Sequence, residues 1–320
     1  MTGNRTLIFA LSLLALPFIV SWGNISLFGV FCLVTLMLLW RWGITLSGLL
    51  KPVAVPELQL DTISVSHFVE KVRWNMDILG VDYTERAVGG TLGVFFTGRS
   101  VPQLRVHTGA TRSTISNSSD ILRYLWGRYS AVYPENAKFL APTPERLELE
   151  KRIDLYGVNI QIWVYYHILD DRELTQVLWG SNCPSLPPWQ RHALVVLFPV
   201  LRFLIRKAFR ISTRSYEKAT GHIEKFLEEI EQKLSENSRS ILSGDQFDYV
   251  DISFASISGV WQQPDAYGGG MAEGVKVDES RLPKSMKEDR DRWQQRYPKA
   301  TAFIERLYEH RNDEHRKGTQ

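Results

Sequence analysis

The sequence predicts an α+β unit followed by an all-α unit, with an apolar helical hairpin ahead of both. Three patterns carry this: a nearly charge-free block at 6–50, short strand-like and helical segments alternating between 57 and 129, and long apolar stripes of helical period from 143 to 312. The chain has 320 residues, enough for about two domains. With 44% apolar and 23% charged residues it is neither disordered nor wholly membrane-embedded. A net charge of +3 over this length gives no electrostatic footprint for nucleic acid. The only cysteines, Cys32 and Cys183, build no disulfide framework, so a reducing compartment is expected. No His, Asp or Glu cluster has metal-ligand spacing, so no metal is expected.

Residues 6–50 contain a single charge, Arg41. The block divides at Gly23 and Asn24, a pair that favours a turn, into runs 6–22 and 25–40. At 1.5 Å per residue each run reaches about 25 Å, near the lower limit for a bilayer core of about 30 Å. Arg5 before the block and Arg41 and Lys51 after it favour both ends on the cytosolic face. The expectation is therefore a membrane anchor at 1–50, of one or two short helices contacting the bilayer through 6–50, with the remaining chain facing a reducing compartment such as the cytosol. A cleaved signal peptide is the alternative for the first run. The prolines of the linker 51–56 separate this block from the rest of the chain.

Residues 58–62 alternate as a strand does, and 66–80 place Phe68, Val72, Met76 and Leu79 at helical spacing before a terminating Gly80. Strands come next at 81–85, 102–106 and 113–115, and a helix at 118–129, giving the order βαβ and then ββα across 57–129. His67 and Arg99 read as solvated residues without a chemical role. From 143 to 312 the chain reads as helical, with Leu149, Ile153, Tyr156, Ile160, Trp163 and His167 along one face and a second amphipathic helix at 217–236. Residues 193–205 are too short to span a bilayer and fit either a buried or an interfacial helix. The polar tail 313–320 has no pattern.

Three motifs in order resemble the thioredoxin-like domain of the glutathione transferase superfamily: Ser66–Trp74 with Leu79–Tyr83, then Val101–Pro102, then Asn117–Leu125. A fourth, Gly244–Ala255, resembles an element of that superfamily's all-α domain, and the likeness extends over about 58–311. The resemblance implies a thioredoxin-like glutathione-binding domain at 57–129 and an all-α domain at 143–312. It implies glutathione as co-substrate, with Ser66, or failing that Ser64, donating to the thiolate at a helix start. A Val101–Pro102 peptide in the cis form would offer backbone groups to the cysteinyl unit. Ser118 at a helix start would hold the γ-glutamyl carboxylate, and Asn117 stands where an acidic residue usually holds the amino group. Tyr156, Trp163 and Tyr166 would line the acceptor pocket. Asp248 would be a helix N-cap and Asp251 the N3 partner of a capping box, with Phe247 and Ile252 as its hydrophobic staple.

The resulting expectation is a membrane-anchored detoxification transferase that conjugates glutathione to a small apolar electrophile, with no nucleic-acid partner and a homodimer left open. The alternative is a non-catalytic transferase-like module for binding or assembly at a membrane.

Overall fold

The computed structural model describes residues 11–12, 15, 19–20, 22–23, 26–49, 55–63, 65–88, 92, 101–108, 111–236, 241–268 and 279–318. The elements are α1 (Leu27–Leu49), β1 (Glu57–Thr62), α2 (His67–Leu79), β2 (Tyr83–Ala87), β3 (Gln103–Thr108), β4 (Thr111–Ser116) and α3 (Ser118–Tyr129). Then come α4 (Pro134–Ala137), α5 (Pro144–Ile168), α6 (Arg172–Leu178), α7 (Pro188–Val196), α8 (Phe198–Ala208), α9 (Thr213–Glu236), α10 (Tyr249–Gln262), α11 (Lys284–Arg296) and α12 (Pro298–Gly318). The strands form one four-stranded sheet in the order β2-β1-β3-β4. An α+β unit followed by helices is the class the sequence predicted.

The chain forms two compact units, residues 1–58 with 105–114 and residues 59–104 with 115–320, and the strands run across this division. The second unit holds α2 and α3 together with all the helices from α4 to α12.

The first unit corrects the expected anchor. Among the described residues no helix is long and apolar enough to cross a membrane. The first apolar run, 6–22, and Asn24 lie largely outside the described residues, and the one long helix here, α1, starts at Leu27. This helix has 23 residues, with its single charge, Arg41, between charge-free stretches of 14 and eight residues (27–40 and 42–49). The membrane-spanning helix on which the expected membrane location rested is therefore not found among the described residues, and the first arm of the expected hairpin lies largely outside them.

In the second unit, local chemistry fixes the ends of the elements. α2 stops at Gly80, whose φ of 70° is the left-handed conformation a glycine adopts freely, and its N–H reaches the Met76 and Asp77 carbonyls. α5 starts at Thr143, whose hydroxyl oxygen accepts from the Arg146 N–H at 3.3 Å, with Pro144 in the first helical position. α10 starts at Asp248 with the expected capping box: Asp248 Oδ1 accepts from the Val250 N–H at 2.7 Å, and Asp251 Oδ2 from the Asp248 N–H at 2.9 Å. Phe247, expected in the hydrophobic staple, is exposed at 38%, whereas Ile252 is fully buried. The two capping carboxylates are buried close together, so desolvation and the Asp248 charge push Asp251 up to about 7.

α10 is the centre of the helical core. It is buried along nearly its whole length and packs against α2, α5 and α12. α2 and α5 meet closely at Gly157, where a Cβ would stand 2.8 Å from the Phe68 ring. Residues 193–205, expected to be one helix, break at Leu197 into α7 and α8. Leu194, Phe198, Leu201 and Ile205 face a core with Trp179 and Leu186, whereas Val196, Val200 and Phe203 are exposed. The segment is half buried.

Polar residues of α2 are buried as deeply as its apolar ones. Lys71, fully buried, donates to Glu150 Oε1 at 3.0 Å, to Asp154 Oδ1 at 2.9 Å and to Ser119 Oγ at 3.1 Å. Glu70, also fully buried, is paired with Arg73 at 2.7 Å and with Arg311 of α12. Arg73 continues to Glu85 on β2, and Arg311 continues to Asp77 while lying 4.7 Å over the Trp74 ring. Burial alone would raise the Glu70 carboxyl, but Arg311, Arg73 and the Gly268 N–H outweigh it and hold it below its ordinary value.

Breaking one partner of a buried pair costs about 3–5 kcal/mol, because the charge left behind has no water. Lys71→Met, which leaves Glu150 and Asp154 facing an apolar side chain, is therefore expected to lower unfolding stability in urea by about that amount. A loss below about 1 kcal/mol, the value of an exposed pair, contradicts the pairing.

Candidate functional site

α2 and α3 pack against each other, and the bond from Lys71 to Ser119 ties the second turn of one to the first turn of the other. Ser119 also donates to Asp154 at 2.7 Å, which brings in α5. The two helix starts, at Ser66 and Ser118, are thereby held in one polar network.

Ser66 is the N-cap of α2, in an extended conformation, and its hydroxyl makes no capping bond. Its surroundings are fixed from both sides. Its N–H donates to the Ile63 carbonyl at 2.9 Å, and the preceding carbonyl, of Val65, accepts from the Tyr267 hydroxyl at 2.9 Å. On the other side His67 Nε2 donates to the Gly157 carbonyl at 3.1 Å, and the Gly268 N–H reaches Glu70 at 3.0 Å. The turn at 264–268 thus braces the first turn of α2. Ser64 lies outside the described residues.

The peptide between Val101 and Pro102 is cis, immediately before β3. Pro102 and Gln103 are buried. Ser118 is 2% exposed at the first position of α3, and its hydroxyl has no hydrogen-bond partner among the described residues. A buried hydroxyl without a partner costs about 1–3 kcal/mol, and this one stands at a helix start. Asn117, the N-cap, has a φ of 76° and makes no capping bond. Its Nδ2 faces Asp120 Oδ2 at 3.4 Å, so a carboxylate stands beside the neutral amide.

The aromatic residues expected along an acceptor pocket are placed differently. Tyr156 is 2% exposed, and its hydroxyl is engaged by Ser258 at 3.0 Å and by the Trp261 indole N–H at 2.7 Å. Trp163 is 1% exposed and donates to Asp289 at 2.8 Å. Both are core residues of the helical segment, and Tyr166 stacks on Tyr216 with ring centroids 4.2 Å apart. A stripe of aromatics at helical spacing has the same pattern whether it faces a core or a cleft.

His67, read from sequence as a solvated residue, is 7% exposed. Arg99 lies outside the described residues. Also missed were the buried charges Glu70, Lys71, Arg73, Glu150 and Arg311. Glu70 and Arg73 are three residues apart on one helix, but the other partners stand 12 to 241 residues away, and no local spacing announces those pairs. No group of His, Cys, Asp or Glu among the described residues could hold a metal ion.

No family model matches the chain, and no curated protein matches it. Among solved structures it is similar to a glutathione S-transferase from Methylobacterium radiotolerans in complex with glutathione sulfonate, at 17% identity over 78% of this chain and 90% of that one, with a TM-score of 0.46. A glutathione S-transferase from Methylobacillus flagellatus with glutathione bound is 14% identical over 78% of this chain and 94% of that one, at a TM-score of 0.47. A β-etherase from Sphingobium is 17% identical over 78% of this chain and 99% of that one, at 0.45. At these identities and scores the likenesses transfer no residue role.

The buried imidazole beside the site makes a measurable mark on stability. Burial lowers His67 from 6.5 to about 4, against a smaller opposing effect of its bond to Gly157. Because the folded pKa lies below the unfolded one, the unfolded chain binds more protons between these values, and stability falls as pH drops from about 6.5 to about 4. A difference of about 2.5 (6.5 minus 4) corresponds to about 3 kcal/mol when fully expressed. His67→Gln, which keeps a donor and cannot titrate, should flatten the urea-midpoint profile in that window relative to the unsubstituted protein. Parallel profiles contradict the assignment.

Proposed function

We propose that the chain binds glutathione and transfers its thiolate to a small apolar electrophile, as glutathione transferases do. The observation that carries this reading is the buried, unpartnered Ser118 hydroxyl at the start of α3. Its hydroxyl, with the first-turn N–H groups, suits the γ-glutamyl carboxylate, because a helix N-terminus favours an anion. Asp120, beside Asn117, supplies the negative charge for the amino group that Asn117 itself lacks. The backbone at Val101, next to the central strand β3, offers strand-like hydrogen bonds to the cysteinyl unit.

Ser66 is the residue for the sulfur. The glutathione thiol gives its proton to water, and the thiolate accepts a hydrogen bond from the Ser66 hydroxyl while the start of α2 favours its charge. The sulfur then forms a bond to the electrophilic carbon as the leaving group departs with its electron pair. The bonds from Tyr267, His67 and Gly268 hold Ser66 in place, so the donor is oriented before the reaction.

The full chain should be retained on glutathione resin and conjugate glutathione to chlorodinitrobenzene. Ser66→Ala should lower turnover by about 10- to 1000-fold with a much smaller change in glutathione affinity. Ser118→Ala should do the reverse, weakening glutathione by about 10- to 100-fold, the value of a hydrogen bond to a charged group. Retention on the resin without turnover at millimolar glutathione favours the non-catalytic module. Absence of both retention and turnover rejects the glutathione reading.

A further inference from the structure

α5, α9 and α11 assemble a second group of reactive side chains. His167, in the last turn of α5, has Nδ1 3.0 Å from Ser285 Oγ and Nε2 3.2 Å from Asp289 Oδ2. Ser285 and Asp289 lie four residues apart on α11, so one helical turn presents both to the same imidazole. The order is hydroxyl, imidazole, carboxylate, the arrangement of a nucleophile, its base and the group that orients the base.

The surroundings fix each member. Asp289 is 3% exposed and accepts from Trp163 Nε1 at 2.8 Å, Tyr216 Oη at 2.7 Å and Arg292 Nη2 at 2.8 Å besides His167. Burial would raise its carboxyl, yet these donors hold it well below the ordinary carboxylate value. A permanent anion at Nε2 keeps the ring proton there and leaves the Nδ1 lone pair directed at Ser285. The His167 ring is set edge-on to Trp163 at 5.4 Å, Tyr166 at 5.4 Å and Tyr216 at 5.3 Å, so it cannot rotate away. Ser285 itself is exposed and is the second residue of α11, whose N-cap, Pro283, provides no side-chain cap. The Met286 and Lys287 N–H groups donate to the Pro283 carbonyl at 3.0 and 3.1 Å, which leaves the N–H groups of Lys284 and Ser285, ahead of the first of these bonds, to meet an oxyanion that develops at Ser285.

We infer that Ser285, with His167 as base and Asp289 as positioning residue, is a nucleophile toward small activated acyl esters. Ser285 Oγ forms a bond to the carbonyl carbon while its proton passes to His167 Nδ1. The tetrahedral adduct expels the alkoxide, which takes that proton and leaves as the alcohol. Water then gives a proton to Nδ1 as it attacks the acyl-serine, the bond to Oγ breaks, and Oγ regains the proton as the carboxylic acid departs. Nothing in this sequence of steps uses glutathione.

The test is reaction of the full chain with a fluorophosphonate, mapped by mass spectrometry, alongside hydrolysis of p-nitrophenyl acetate. One adduct, on Ser285, is expected in the folded protein and none after denaturation in urea. Ser285→Ala should abolish the adduct and lower ester hydrolysis at least about tenfold, and His167→Gln should remove labelling of Ser285. Ser235→Ala, on an exposed turn of α9, should leave both unchanged. Absence of an adduct at Ser285 in the folded protein, or equal labelling in folded and denatured chains, overturns the inference. The comparison of folded with denatured protein stands even where His167→Gln fails to fold.

Discussion

The structure depends on the burial of Glu70, Lys71 and Arg73 on a single short helix. A charge taken from water costs several kcal/mol, so each of these must be met by opposite charge and by hydrogen bonds, and the partners are available only when the chain is folded correctly. Lys71 draws α5 and α3 to α2 through Glu150, Asp154 and Ser119. Glu70 and Arg73 draw in α12 through Arg311 and β2 through Glu85. An apolar interface of similar area tolerates slippage and repacking. This one admits a single register, and it explains why α2 and α3 belong to the same compact unit as the helices from α4 to α12.

Function rests on that constraint. The side chains proposed to meet glutathione sit at the starts of α2 and α3, the helices that the Lys71 network joins. Ser66 lies between the Val65 carbonyl, which accepts from Tyr267, and His67, whose imidazole donates to the Gly157 carbonyl, and both partners belong to the helical segment. The proposed thiolate donor thus has its backbone fixed by residues far away in sequence, before any ligand arrives. The same arrangement is seen at Asp289, where four donors from three helices converge on one carboxylate and fix the His167 ring.

How far the sequence can be read depends on the range of the interaction. Local rules are enough for the stop of α2 at Gly80, the capping box at Asp248 and Asp251, and the start of α3 at Ser118, because each is decided within about four residues. The cis peptide at Val101–Pro102 is implied by the family resemblance and by no local rule. Lys71, by contrast, looks like an ordinary surface charge of an amphipathic helix, since the residues that pair with it are 48 to 83 positions away. Tyr156 and Trp163 are misjudged from sequence because periodicity identifies a buried face without saying what lies against it. His167 carries a signal of its own, a lone imidazole within an apolar stripe.

The central claim is that the ion-locked starts of α2 and α3 serve one ligand together with the segment at Val101. Amide hydrogen exchange of the full chain with and without glutathione tests it most directly. The account predicts that glutathione slows exchange at 66–70, at 103–104 and at 118–121 together, with little change in α11. No slowing at these three segments, or slowing confined to one of them, contradicts it.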